Sequence, residues 1–219
     1  MRKMTFLLIL IVGIMALVSC SLGDPQPDAC VGSGTLFQDD FGGEQECGWA
    51  LYNQGGAVTE IADGVLRIST SQPGQIWWTN PGRNFDNVIV TVQARQSSGP
   101  DDNAYGIICR YQNEQNFYLF LISGDGYYAV GKYQSGNDQI VYLTENAQYQ
   151  FSDVINQGVA TNQVRASCIG NELSLAVNGL PLFTTTDPTF VTGDIGVGVS
   201  TLEPGTAVVE FDNIVVIAP

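Results

Sequence analysis

Arginines, aromatic rings and carboxylates are the side chains through which this chain could do chemistry, because it contains no histidine. That absence removes Ser-His-Asp and Cys-His nucleophile systems and every His-ligated metal site. Among the carboxylates, Glu210 and Asp212 alternate along one extended run. Retaining glycoside hydrolysis needs two carboxyl groups about 5 Å apart, so this pair is the nearest to a catalytic arrangement. Asp39-Asp40, Asp101-Asp102 and Glu44-x-Glu46 fall in loops or strand edges, where the simplest role is a solvated charge. Sugar binding asks instead for aromatic platforms and bidentate polar groups in a groove. Arg95, Arg110, Tyr127, Tyr133 and Trp78 are the candidates for it. Trp77 and Trp78 have opposite parity, so one belongs to a core and one to the outside.

Alternation positions these residues. Val164, Ala166 and Cys168 form one face of a run that Gly170-Asn171 breaks; Leu173, Leu175 and Val177 form the next, broken by Asn178-Gly179; Leu180 to Thr184 follows. Period-two runs bounded by Gly-Asn and Asn-Gly predict a three-stranded meander, because tight hairpin turns require positive φ. Its apolar face must be covered by a second sheet. Further runs span Leu36–Phe41, Val58–Ala62, Val65–Ser69, Gln75–Thr79, Val88–Arg95, Tyr105–Tyr111, Phe117–Ile122, Tyr127–Tyr133, Ile140–Leu143, Asp194–Ser200 and Ala207–Ile217. Only Glu145 to Gly158 reads as a short helix. Turn signals every eight to twelve residues predict an all-β sandwich or barrel. If Cys109 points to the core with Ile107 and Tyr111, then Gly106, Ile108 and Arg110 face the other way. By the same parity Tyr127, Ala129, Gly131 and Tyr133 lie opposite Tyr128 and Val130. The small residues then leave room for a ligand, with Arg95 and Arg110 facing one groove.

The order Asp39-Asp40-Phe41, Trp49, Asp63-Gly64-Val65-Leu66, Arg110-Tyr111, Phe117-Tyr118, Asp125-Gly126-Tyr127-Tyr128, Asn178-Gly179 and Phe211-Asp212-Asn213 carries a resemblance. It is similar to the concanavalin A-like (laminin-G-like) jelly-roll superfamily, and within it to domains related to the 3-keto-disaccharide hydrolase group. The likeness extends over about Leu36 to Val216. It implies a two-sheet antiparallel jelly-roll sandwich with a concave, glycan-binding face. The Glu-x-Asp-x-x-Glu run of relatives that hydrolyse glycosides is absent, and Asp212 falls in the closing-strand motif. The resemblance also implies a structural Ca²⁺, for which Asp40 and Asp212 are the candidates if the terminal strands pair, since hard oxygen ligands suit that ion.

The chain has 219 residues and a net charge of −14, from 22 acidic and eight basic residues. Clustered Lys and Arg are missing, which argues against nucleic acid as a partner. Arg2 and Lys3 precede an apolar run, Met4 to Val18, too short to span a bilayer and shaped like a secretory leader. It ends Leu17-Val18-Ser19-Cys20, which resembles the lipobox of bacterial lipoproteins. That resemblance makes residues 1–19 a signal peptide, Cys20 the lipidated N-terminus and 20–35 a tether, with the sandwich at 36–219; an uncleaved anchor and plain secretion are the alternatives. The expected location is the cell envelope, facing away from the cytoplasm. Cys30, Cys47, Cys109 and Cys168 remain, with three connectivities open to them. Export favours oxidation, and the shared inward parity of Cys109 and Cys168 favours that pair, leaving Cys30 with Cys47; buried free thiols are the alternative. The two loops would contribute about 4 and about 3 kcal/mol on the chain-entropy model. The expected function is a lectin-like surface module that binds carbohydrate or a similar polar ligand. The rival readings are a 3-keto-glycoside hydrolase-like enzyme and a structural or sensory surface protein.

Overall fold

The computed structural model describes residues 28–43 and 47–219. The signal-peptide and Cys20 expectations lie outside these residues. Along the described chain, β1 (Phe37–Asp39), β2 (Tyr52–Gln54), β3 (Ala57–Ala62), β4 (Val65–Thr70), β5 (Ile76–Thr79) and β6 (Val88–Ser98) come first. They are followed by β7 (Asn103–Asn113), β8 (Asn116–Ile122), β9 (Tyr127–Tyr133), β10 (Val141–Tyr142) and β11 (Gln150–Phe151). The chain ends with β12 (Thr161–Ile169), β13 (Glu172–Val177), β14 (Leu180–Thr186), β15 (Asp194–Thr201) and β16 (Ala207–Ile217). The helix expected between Glu145 and Gly158 is reduced to one 3₁₀ turn, Glu145–Ala147.

These strands form two antiparallel sheets. One runs β14-β13-β12-β6-β16-β4-β3-β2, with β1 also paired to β16; the other runs β10-β9-β8-β7-β15-β5, with β11 also on β9. The fold is thus an all-β, two-sheet jelly-roll sandwich. The meander pairs as its turns require: Ile169 faces Glu172 across the first hairpin and Val177 faces Leu180 across the second. Asn178 and Gly179 both adopt positive φ (51° and 83°), as do Asp63 and Gly64 (56° and 76°) in the β3–β4 hairpin.

The core lies between the sheets. Val88, Val90, Val92 and Ala94 of β6 meet Tyr105, Ile107 and Cys109 of β7, with Val164, Ala166 and Cys168 from β12. Two disulfides tie it together, Cys30–Cys47 and Cys109–Cys168, the latter between the two sheets. The N-terminal clasp has its own logic. Trp49 packs between Phe37 and Phe41, with ring centroids 5.9 and 5.8 Å away. Its Nε1 donates to Asp39 Oδ2 at 2.9 Å, and Phe41 N donates to Asp39 Oδ1 at 2.9 Å. Two motifs behind the family resemblance, Asp39-Asp40-Phe41 and Trp49, therefore meet in a structural knot.

Candidate functional site

The outer face of the seven-stranded sheet carries a second apolar cluster. Ala104 and Ile108 of β7 join Phe117, Leu119 and Leu121 of β8, all buried, with Ile76, Trp78, Tyr111, Tyr133, Ile140 and Tyr149 packed around them. This face positions the aromatics. On β5, Trp77 turns to the core and Trp78 to the outer face. Trp78 and Phe117 have ring centroids 5.2 Å apart, Tyr111 and Phe117 5.5 Å, and Phe117 and Tyr133 5.1 Å, distances typical of tilted aromatic pairs.

Trp78 and Tyr111 open into a cleft of about 360 Å³ bounded by Tyr52, Gln54, Gln75, Ile76, Trp77 and Glu114. Tyr52 is fixed there because its hydroxyl donates to the Trp78 carbonyl at 3.0 Å. Burial raises the Tyr52 and Tyr111 phenols above their ordinary range, so both are neutral. Aromatic walls with amide and carboxylate edges are the combination a sugar ring requires: apolar faces for its C–H groups and polar partners for its hydroxyls.

A second cleft, of about 230 Å³, opens at the opposite end of β7. Asp102, Asn103, Ser123, Asp125, Tyr127, Tyr149 and Leu202 line it. Tyr127 stacks edge-on against Phe151, with centroids 5.5 Å apart. The Ser123 hydroxyl donates to Asp125. Desolvation pushes the Tyr149 phenol well above its usual value, and Tyr142, Asp102 and Asp125 act in the same direction.

Parity brings some sequence candidates together and separates others. Trp78 and Tyr133 share the aromatic cluster, while Tyr127 stands 39% exposed at the second cleft. Arg110 requires a correction. A β-bulge puts Cys109 and Arg110 opposite a single residue of β15, since Tyr111 pairs with Asp194 and Ile108 with Gly196. Arg110 takes up the distortion with φ of 53°, so the alternation slips by one residue. Tyr111, expected in the core, joins the outer cluster; Arg110, expected outside, is 1% exposed and donates from NH1 to the Phe190 carbonyl at 2.6 Å. Desolvation lowers the pKa of its guanidinium.

Arg95 is corrected too. It lies on the outer face of the other sheet, where Glu210 bridges Arg95 at 3.5 Å and Arg67 at 3.3 Å. It shares no groove with Arg110. Glu210 is one rung of this charge ladder. The small floor residues also differ from expectation, because the chain itself fills their space. A Cβ on Gly131 would lie 2.7 Å from Ile140 Cγ2.

Asp212 lies on β16, and Asp40 directly follows β1, which pairs with β16. Both Asp39 oxygens are engaged, Asp40 Oδ1 accepts from Gly42 N at 3.1 Å, and Asp212 Oδ1 accepts from Asn213 N at 2.7 Å. Among the described residues no three His, Cys, Asp or Glu side chains gather as a metal site. Tyr52, Gln54, Gln75, Tyr111, Glu114 and Tyr149 are site residues that the sequence pattern does not single out. Tyr52 and Gln54 sit on a three-residue strand whose pattern is too short to read, and the bulge hides Tyr111.

No family model matches this sequence, and no curated protein does. Solved structures resemble its fold. A carbohydrate binding module, CBM66 from Bacillus subtilis, superimposes with a TM-score of 0.60 at 14% identity, over 78% of this chain and 96% of that one. A Bacillus subtilis protein with a galectin-like fold matches at 0.61 and 12%, over 84% and 96%. The GH43 protein BlXynB from Bacillus licheniformis matches at 0.61 and 15%, over 83% of this chain and 39% of that one. At these identities the likeness establishes the β-sandwich fold and leaves function to the site.

Proposed function

We propose that this protein is a lectin-like module that binds carbohydrate at the Trp78–Tyr111 cleft without chemical conversion, held at the cell envelope through a lipidated Cys20. One observation carries the binding reading. The aromatic row Trp78, Tyr111, Phe117 and Tyr133 ends in an open cleft edged by Gln54, Gln75 and Glu114. Side chains that only filled a core would not leave ring edges beside polar groups in a 360 Å³ space. One fold neighbour is a carbohydrate binding module, which supports this reading. The disulfides accord with an oxidising, extracytoplasmic location.

Screening the purified domain on a glycan array, then titrating hits by calorimetry, tests the reading. Trp78→Ala is expected to weaken binding at least tenfold, about 1.4 kcal/mol or more, since an aromatic anchor dominates such sites. A Trp78→Ala protein that folds and binds normally would remove this cleft. Cys20→Ala is expected to release the protein from membranes; retention there would discard the anchor.

Hydrolysis is the second reading, favoured by Asp102 and Asp125 lining one cleft. Turnover of a bound glycoside or its 3-keto form, lost in Asp125→Asn, would establish it.

A further inference from the structure

We infer that the outer face of the seven-stranded sheet binds an extended, uncharged glycan chain, with the cleft at Tyr127, Tyr149, Asp102 and Asp125 as its second subsite. This rests on the binding reading above and adds the length and the charge of the ligand.

Three features of the surface carry it. The two clefts share lining residues with a small cavity between them. A narrow waist of about 70 Å³ lies between them, sharing Ile76 with the first and Tyr149 and Leu202 with the second. The Tyr142 and Tyr149 rings, 5.4 Å apart, stand along this waist. The distance is also too great for one sugar. Asn103 and Tyr111, one in each cleft, are eight residues apart on β7, a span of at most about 26 Å at about 3.3 Å per residue, which the bulge at Arg110 shortens. Finally, the second cleft repeats the composition of the first. It offers an exposed phenol ring beside two carboxylates that can accept from sugar hydroxyls.

Charge sets the class of chain. The described chain has six basic residues, and none lines this track. Arg67, Arg95 and Arg165 occupy the outer face of the opposite sheet, Arg83 pairs with Asp28, and Arg110 and Lys132 are turned into the interior. The track presents Glu114, Asp102 and Asp125 with no facing cation. On a protein of net charge −14, uronate, sialate or sulfate groups would be repelled along its whole length.

Calorimetric titration with neutral glucan, mannan, galactan, xylan and fructan oligomers of one to six units, beside oligogalacturonates of equal length, decides the matter. At least one neutral series is expected to gain tenfold or more in affinity from monomer to hexamer, with the acidic series binding more weakly. Tyr127→Ala, and separately Asp102→Asn, should abolish the gain with length while the short ligand binds as before. Trp78→Ala should weaken both. A monomer that binds as well as its hexamer, or a length dependence untouched by both second-cleft variants, would overturn the second subsite and leave the first cleft standing. Preference for oligogalacturonate would overturn the charge assignment. Absence of binding by every neutral series would sink this inference together with the function it rests on.

Discussion

Arg110 shows how a single residue can invert a surface. Its guanidinium is buried, makes one hydrogen bond to the Phe190 carbonyl and leaves Nε and NH2 without protein partners. A cation held this way is costly unless the group it anchors matters, and here it anchors the loop after β14 to the bulge of β7. Arg110→Ala should therefore lower stability by about 2–4 kcal/mol, from the cavity and the orphaned carbonyl. Arg110→Met, which keeps the volume and drops the buried charge, should cost less than half of that. Urea unfolding of both variants is the measurement. An Arg110→Ala protein as stable as the parent would mean the side chain is held outside the core. The sequence could not reveal this placement, because strict alternation puts Arg110 with Gly106 and Ile108. Only a bulge, which adds one residue without any glycine to announce it, reverses the phase.

At the scale of elements, the two sheets are clasped at one end by a polar network. Lys132 on β9 donates to Asp187 Oδ2 at 2.6 Å and to Thr189 Oγ1 at 2.6 Å; the Tyr118 hydroxyl on β8 donates to Asp187 Oδ1 at 2.6 Å, and Phe190 N donates to Tyr118 Oη at 3.1 Å. Asp187 follows β14, an edge strand of the opposite sheet, so these bonds join both layers. Lys132→Met would leave the carboxylate buried and unpaired, at a cost of about 3–5 kcal/mol. The double variant Lys132→Met/Asp187→Asn should recover part of it, and a cycle with no coupling would show that the two charges act independently. Elements of this kind are only half legible in the sequence. The meander, the Asp63-Gly64 hairpin and the inward faces of β6 and β12 follow from period-two patterning and turn chemistry, and the structure has them in that register. Alternation puts Tyr133 outward and so Lys132 inward, but nothing local to β9 names the lysine's partner. Asp187 lies 55 residues away in sequence, and only the packing of the sheets brings them together. The same holds for the site: the opposite parity of Trp77 and Trp78 is readable, whereas the cleft beside them depends on β2 and on the tip of the β7–β8 hairpin.

For the whole molecule, two buried carboxyl groups act on stability in opposite directions at different pH. Asp194 accepts from Gly82 N at 2.8 Å and from Ile195 N at 2.8 Å, yet burial outweighs these bonds and pushes its carboxyl up to about 6. Burial raises Asp39 as well. A carboxyl with a folded pKa above its unfolded value of 3.8 holds its proton better when folded. Stability therefore increases as pH falls from about 6 toward 4, at a slope of at most about 1.4 kcal/mol per pH unit for one such group. Lower net negative charge acts in the same sense. Asp187 behaves the other way: the hydrogen bonds from Lys132, Thr189 and Tyr118 outweigh its desolvation and hold it at about 2. The stability it contributes is present above about 4 and is lost as pH falls from there toward 2. The melting temperature should consequently rise from pH 7 to a maximum between about 4 and 5, then drop. Asp194→Asn should flatten the neutral side of this curve and leave the acid side in place, whereas Asp187→Asn should remove much of the acid loss at the expense of stability at neutral pH. Scanning calorimetry from about pH 2.5 to 8 on the three proteins reads this out. A wild-type melting temperature that falls steadily on acidification from neutral pH would show that the Asp194 carboxylate is solvated in the folded protein, and with it that the turn at Gly82 does not close over the end of β15.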